Sequence, residues 1–271
     1  GFFQPTFSMA NAYRTVGGLP ILSEQGDGTP DYNLAANAVK HDYGKNTTDA
    51  FTEDTDPLDP RIDHTIGRRG IQYLDWIEHP GANWIRSQVY AGPYSPKKYV
   101  YYKRQENSLT DGSGWTRGYA TMNFNIIRFA DVLLLAAEAE IEAGSLTTAL
   151  GYINQIRKRA ANEAGFVTKG GKPEANYVIN LYTAFADKTA AQRAVRMERL
   201  LELATEGHRF FDLVRWGIDV PTLNAYLAYE SKLLVTKFGG ASYTATDKYL
   251  PIPQQQIDIQ GTSVLKQNPG Y

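Results

Sequence analysis

Cysteine is absent from this 271-residue sequence, and its absence excludes disulfide bonds, thiolate metal sites and a cysteine nucleophile. Net charge is also nearly absent, because the sequence has 28 Lys and Arg residues and 29 Asp and Glu residues. A balance of −1 at pH 7 leaves no basic surface of the kind that binds nucleic acid or an anionic membrane. No apolar run reaches the roughly 18 residues of a transmembrane helix, so none is predicted.

Catalytic and metal-binding motifs are missing as well. The histidines are scattered and form neither a His-Glu-x-x-His motif nor a His-x-His pair. They are His41, His64, His79 and His208. The glycine-rich segment GFVTKGGK has Gly171 where a phosphate-binding loop requires lysine. We therefore expect no catalytic residue, no metal ion and no cofactor.

Helical periodicity is present in the second half of the chain. Apolar residues recur with spacings of three and four over residues 126–143, where Gly144 ends the pattern, and a second helix is predicted over residues 147–160. The positions typical of a tetratricopeptide hairpin are filled by Leu133, Ala137, Ala149 and Ile153. We predict a mainly α fold, in which this hairpin and further helices pack under a loop-rich surface with minor β structure.

A longer helical pattern covers residues 191–217. Its apolar stripe consists of Ala194, Met197, Leu201, Ala204, His208 and Phe211. Gly207 indicates a break or a close backbone approach. Acidic side chains on this helix call for cationic partners, and we expect a buried network that locks the fold. Its expected members are Glu198, Glu202, Glu206 and Arg209 on the helix, with Arg128, Arg157 and Arg159 on the hairpin.

The remaining residues are assigned to loops and short elements. Short helices are predicted at residues 7–13 and 31–40, the second capped by Asp31, and an exposed strand at residues 97–104. Residues 221–234 are expected to be helical. We predict one domain with three parts: a loop-rich binding part (1–124), a helical core (125–235) and an extended C-terminal tail (236–271).

Aromatic residues are concentrated in an otherwise polar stretch, residues 73–94. The candidate ligand contacts are Tyr73, Trp76, His79, Asn83, Trp84, Arg86, Tyr90 and Tyr94, together with Trp115 beside a DGSG loop. Aromatic faces with amide and charged groups nearby suit a sugar, whose C–H face stacks while its hydroxyls form hydrogen bonds. The alternative is that these rings pack the loops onto the helical body. Trp76 and Trp84 are the strongest candidates.

Six segments occur in the order expected of a SusD/RagB-type protein, and the sequence resembles that family over essentially its whole length. They are DPRIDHTIGRRG (59–70), IIRFADVLLLAAEAEIEAG (126–144), INQIRKRA (153–160), ERLLELATEGHRFFDLVRWG (198–217), YLPIP (249–253) and QNPGY (267–271). The fourth is the most diagnostic. The resemblance implies an α-superhelical fold with tetratricopeptide units beneath a loop-rich binding surface.

The resemblance also implies a function. The chain would be part of a Bacteroidota outer-membrane lipoprotein that faces outward, captures glycans without cleaving them, and delivers them to a SusC-like TonB-dependent transporter. The family's lipidated cysteine and N-terminal helices are absent from this chain, so membrane attachment would use an anchor outside it. The sequence starts at Gly1 without a signal peptide, and we expect a mature or truncated form from which any targeting signal has been removed.

The residues are also compatible with two other functions. A glycoside hydrolase would need two carboxyl groups roughly 5–10 Å apart in an aromatic cleft, and Asp75 and Glu78 are the local candidates. A peptide-binding tetratricopeptide scaffold would need several repeats along a concave face, whereas the sequence offers one.

Overall fold

The computed structural model describes residues 3–111 and 120–271, with the long helices in the second half of the chain. Within these residues the α-helices are α1 (Phe7–Asn11), α2 (Ile62–Thr65), α3 (Gln88–Ala91), α4 (Phe129–Ala143), α5 (Leu146–Ala160), α6 (Lys188–Glu202), α7 (His208–Arg215), α8 (Asp219–Glu230), α9 (Val235–Phe238) and α10 (Gln254–Gln260). The strands are β1 (Thr15–Val16), β2 (Leu19–Pro20), β3 (Ile66–Gly67), β4 (Ser95–Pro96), β5 (Thr168–Lys169) and β6 (Lys172–Pro173), paired as antiparallel β1–β2, β3–β4 and β5–β6. The predicted mainly α class with minor β structure is confirmed.

The tetratricopeptide-like hairpin consists of α4 and α5. Helix α4 ends before Gly144 as predicted, and the Ser145 hydroxyl caps α5 by accepting a hydrogen bond from the Thr148 N–H. The inner faces pack against each other and against α6. The residues buried there include Leu134, Ala137, Ile141, Ala149, Ile153 and Ile156. Full burial of each large aliphatic side chain contributes about 1.5–3 kcal/mol.

Helix α6 joins two hydrophobic cores. Ala191 and Ala194 pack against the hairpin, whereas Leu201 belongs to a second core that contains Tyr13 and Leu58 from the loop-rich part. The Asp187 side chain caps the start of α6 by accepting a hydrogen bond from the Ala190 N–H. The loops of the first half are therefore held on the helical core by a shared helix.

A buried ion-pair network reinforces this junction from the loop side. Arg61 Nη1 lies 2.6 Å from Glu198 Oε1 and 3.2 Å from Glu202 Oε2, both on α6. The same guanidinium pairs with Asp59 through Nη2 at 2.7 Å and through Nε at 2.9 Å. No local sequence pattern predicts the pairing of Arg61 with Glu198, because the two residues are 137 positions apart.

The hairpin supplies the predicted cationic partners. Arg157 pairs with Glu198 at 3.0 Å, Arg159 with Glu202 at 2.7 Å, and Arg128 with Glu202 at 2.9 Å and with Glu206 at 2.8 Å. The three predicted arginine partners are confirmed, and together they form four ion pairs with α6 and the residues after it.

The electrostatics of the network favour the ionised carboxylates. Burial alone would raise the pKa of Glu202, but Arg61 and Arg159 lower it to about 2. The predicted pairing of Arg209 is wrong: among the described residues Arg209 forms no ion pair, and its guanidinium carbon lies 5.9 Å from the ring centroid of Trp216.

The helical pattern of residues 191–217 forms two helices, and Gly207 marks the break. Gly207 has φ of +86°, a left-handed conformation that glycine adopts without steric cost. After this break, Phe211 is 70% exposed instead of continuing the buried stripe. The predicted stripe is wrong at this residue.

The helix predicted over residues 31–40 is only one 3₁₀ turn, Asp31–Asn33, and its N-cap is Pro30. Arg14 is the physical reason. Its side chain donates to the carbonyl oxygens of Asn37 at 2.8 Å and Ala38 at 3.3 Å, so tertiary contacts hold this backbone in a loop.

Two predictions of extended structure also differ from the fold. In residues 97–104, Tyr99 has φ of +61°, outside the β region, and the Tyr101 carbonyl accepts a hydrogen bond from the Trp76 indole at 3.1 Å instead of from a strand. The C-terminal tail contains α10, which begins after Pro253 and buries Ile257.

Candidate ligand-binding surface

Trp84 lies on two buried aromatic side chains. Its ring centroid is 5.3 Å from that of Tyr73 and 5.3 Å from that of His79, and the latter two are 5.8 Å apart. Tyr73 is 7% exposed and His79 1%, whereas Trp84 is 40% exposed. We call these three residues the Trp84 platform. It presents an aromatic surface to solvent on a packed base.

Strand β4 anchors the base of the platform. The Tyr73 hydroxyl donates a hydrogen bond to the Pro96 carbonyl, and His79 Nε2 lies 2.8 Å from Ser95 Oγ. The Gly81 N–H donates to His79 Nδ1 at 3.1 Å, so the proton of the neutral ring is on Nε2. Burial lowers the pKa of His79 to about 4, which keeps the imidazole neutral at pH 7.

Polar candidates accompany Trp84 in the chain. Asn83 belongs to the same 3₁₀ turn, Gly81–Trp84, and its backbone N–H donates to the Thr47 hydroxyl at 3.0 Å. Asn83 and Arg86 are exposed, and neither side chain is hydrogen-bonded within the described part of the chain. Tyr90, on α3, is 58% exposed. These side chains are therefore available to a ligand.

Trp76 belongs to a separate aromatic group. Its ring lies 5.6 Å from that of Tyr101 at an angle of 69°, and its indole N–H is already bonded to the Tyr101 carbonyl. Across the described residues, Trp76 makes no ring contact with the Trp84 platform. The two strongest sequence candidates are thus not brought together by stacking.

Tyr94 and Trp115 complete the candidate set. Tyr94 is 2% exposed and packs in the core with Phe7, at a centroid distance of 6.0 Å. Burial raises the pKa of its hydroxyl. Trp115 lies outside the described residues.

Two neighbours of these rings were not among the sequence candidates. Lys97 is 5% exposed, and its ammonium nitrogen donates to the Gln72 carbonyl at 2.7 Å and lies 5.8 Å from the Tyr73 ring centroid. Burial lowers the pKa of Lys97 to about 8. Tyr101 is the partner of Trp76. The only sequence signal for these two residues is the mixture of lysines and tyrosines in KKYVYYKR, whose alternation predicts an exposed strand instead.

The two carboxylates considered for glycoside hydrolysis are both engaged by the surrounding loops. Asp75 accepts hydrogen bonds from the backbone N–H groups of Lys103 at 2.5 Å and Arg104 at 3.1 Å. Although burial acts to raise the pKa of Asp75, these bonds lower it overall, and a general acid requires the opposite shift. Glu78 pairs with Lys169.

The described residues contain neither a metal-ligand cluster nor a helix that could span a membrane. Among residues 3–111 and 120–271, no group of three or more His, Asp or Glu side chains is arranged to hold a metal ion. No helix in the described part of the chain has the length and apolar character needed to cross a lipid bilayer.

Comparison with known proteins identifies one family. The model of the SusD family matches residues 1–271. SusD-like protein P25 of Formosa agariphila is 38% identical over 135 residues, which cover 49% of this chain and 22% of that protein. SusD-like protein P38 of the same organism is 41% identical over 93 residues, covering 34% of this chain and 17% of that protein. The matched regions thus span about a fifth of these relatives.

Solved structures give the same result for the fold. A SusD superfamily protein from Bacteroides vulgatus aligns with 94% of this chain and 42% of its own, with a TM-score of 0.51 and 23% identity. A SusD homolog from Bacteroides thetaiotaomicron aligns with 79% of this chain and 41% of its own, with a TM-score of 0.50 and 30% identity. The chain therefore corresponds to less than half of either structure.

Proposed function

The chain belongs to the SusD family, and from this membership we propose that it contributes to non-catalytic glycan binding at the outer cell surface. The protein of which it is part would be attached to the outer membrane by a lipid anchor. It would pass its glycan to a SusC-like TonB-dependent transporter. Family membership supports a role in nutrient uptake, and the candidate surface supports a sugar as the ligand.

The observation that carries the proposal is the Trp84 platform. An indole that is 40% exposed on two buried rings is held in position before a ligand arrives, so binding costs little side-chain entropy. The exposed amide of Asn83 and guanidinium of Arg86 supply hydrogen bonds for hydroxyl groups beside the stacked sugar face. An apolar face with polar groups nearby suits a sugar ring, which has both C–H faces and hydroxyl groups.

The test is glycan binding followed by tryptophan fluorescence and calorimetry on a panel of soluble oligosaccharides. Trp84→Ala is expected to weaken binding about tenfold or more, because stacking and apolar contact are lost together. Trp76→Ala is expected to have the smaller effect, since its indole N–H is occupied by the Tyr101 carbonyl. Ile77→Ala is the matched control, because Ile77 is an aliphatic side chain of the same loop and is 52% exposed.

Unchanged affinity in both tryptophan variants would remove this site assignment. Release of reducing sugar ends by the purified protein would instead favour a glycoside hydrolase. A panel in which peptides bind and all oligosaccharides fail would favour the peptide-binding alternative.

A further inference from the structure

A second concave surface lies apart from the Trp84 platform. It is a cleft of about 580 Å³ between the loop-rich part and the end of α5. The lining residues that matter here are Tyr99, Asn123, Asn125, Arg128 and Arg159. The cleft contains none of the residues selected from the aromatic stretch, so it would add contacts that the proposed site does not provide.

The charges around this cleft do not cancel. Counted over the described residues, the ion-pair network that borders it contains five cations and four carboxylates. The cations are Arg61, Lys98, Arg128, Arg157 and Arg159, and the carboxylates are Asp59, Glu198, Glu202 and Glu206. One positive charge is therefore in excess within the network.

The excess charge is accessible from the cleft. The Glu202 and Glu206 side chains are only 3% and 5% exposed, whereas that of Arg159 is 56% exposed. Among the described residues, Arg159 uses one guanidinium nitrogen, Nη2, in its bond to Glu202 at 2.7 Å. Guanidinium has five N–H donors, so several remain for a second anion. Planar donor geometry suits a carboxylate or a sulfate ester.

The rest of the lining is suited to a sugar ring. Tyr99 is 40% exposed and stacks on Phe124 at a centroid distance of 4.5 Å and an angle of 23°. Its φ of +61° is an unusual conformation for a tyrosine, and such outliers occur preferentially at ligand sites. The Asn123 and Asn125 side chains are exposed and make no hydrogen bond within the described residues. Together they provide an aromatic face and free amide groups.

We propose that this cleft binds an acidic sugar unit of the glycan, with Arg159 pairing to its carboxylate or sulfate group and Tyr99 contacting its ring. The proposal rests on the proposed glycan-binding function and specifies its ligand class. It explains why a cationic surplus, an aromatic stack and unpaired amides occur around one cleft.

The experiment compares three oligosaccharides by calorimetry on the protein: an oligogalacturonide, its neutral methyl ester, and a sulfated galactan oligosaccharide. At least one acidic ligand is expected to bind about tenfold more tightly than the methyl ester, and added salt should reduce the difference. Preference for the galacturonide identifies a carboxylate as the anion, and preference for the sulfated galactan identifies a sulfate ester.

Arg159→Gln is expected to weaken binding of the acidic ligand about tenfold and to leave the methyl ester unaffected. Lys158→Gln is the matched control, because it removes the same charge from the neighbouring, exposed position of α5, which does not line the cleft. Since Arg159 also pairs with a buried carboxylate, Asn123→Asp provides a second test that disturbs no hydrogen bond of the described residues. It should repel the acidic ligand by a similar factor.

Equal affinities for acidic and neutral ligands would overturn the proposal, as would equal effects of Arg159→Gln and Lys158→Gln in folded variants. If neutral oligosaccharides still bind and that binding depends on Trp84, only the acidic-sugar proposal has failed. If no oligosaccharide binds at all, the proposed function has failed with it.

Discussion

At the scale of single residues, Glu198 is a buried carboxylate that is shared by two guanidinium groups of the ion-pair network. Its side chain is fully buried and contacts two guanidinium groups, Arg61 at 2.6 Å and Arg157 at 3.0 Å. Burial removes water from both guanidinium groups and from the carboxylate, and the ion pairs between them offset this desolvation cost. Removal of Glu198 would leave the buried Arg157 without an ion-pair partner among the described residues, whereas Arg61 would keep Asp59 and Glu202.

Glu198→Ala is therefore expected to lower the free energy of unfolding by about 3–5 kcal/mol, measured by urea denaturation. Glu142→Ala is the control, because Glu142 and its partner Lys188 are each 50% exposed and their ion pair is screened by solvent. We expect no measurable change from the control. Equal losses in the two variants would contradict a structural role for the network.

At the scale of elements, the break between α6 and α7 contains two residues in the left-handed conformation, Thr205 with φ of +64° and Gly207. Gly207 has φ of +86°, and no atom lies near the position that its Cβ would occupy. An alanine there would meet no steric contact but would be forced into a left-handed conformation. Gly151 differs from Gly207 in its backbone conformation. It lies within α5, has no positive φ, and its surroundings are equally open.

The same substitution should thus have opposite effects at the two glycines. Gly207→Ala is expected to destabilise the protein by about 1 kcal/mol, and Gly151→Ala to stabilise it by about 0.5–1 kcal/mol. Thermal and urea denaturation of both variants would measure these changes. Stabilisation by Gly207→Ala would mean that the left-handed turn is not required.

At the scale of the whole molecule, we propose that residues 1–271 form one domain. Helix α6 contributes to both hydrophobic cores, and Arg61 of the loop-rich part is bonded to the helix that the hairpin also contacts. Neither core can lose its packing without disturbing α6. The two parts should therefore unfold together.

Unfolding is expected to be a single transition when it is followed by two probes. Far-ultraviolet circular dichroism reports on the helices, and tryptophan emission includes Trp84 of the loop-rich part. The two curves should coincide in urea. The matched comparison is Glu198→Ala. If the ion-pair network couples the loop-rich part to the helical core, the circular dichroism and fluorescence curves of this variant should no longer coincide. Separate transitions in the unmodified protein would contradict the single domain.

Local sequence patterns were sufficient to predict the helical hairpin. The spacing of Leu134, Ala137 and Ile141 specifies a buried helix face, and Gly144 specifies its end, because these signals act within a few residues. The arginine partners of α6 were also predictable, since stacked carboxylates on a buried face require cations. Arg61 was not, because its contact with Glu198 spans 137 residues.

The sequence by itself determined the two helices of the hairpin, the arginine partners that the hairpin supplies to α6, and which family the motifs indicate. Only the tertiary structure decided which aromatic side chains face solvent. Tyr73, His79 and Tyr94 occur in the same polar stretch as Trp84, yet the first three are buried and Trp84 is not. The reason is that exposure of a loop side chain depends on distant partners, such as strand β4 and Phe7, and no periodic pattern encodes those contacts.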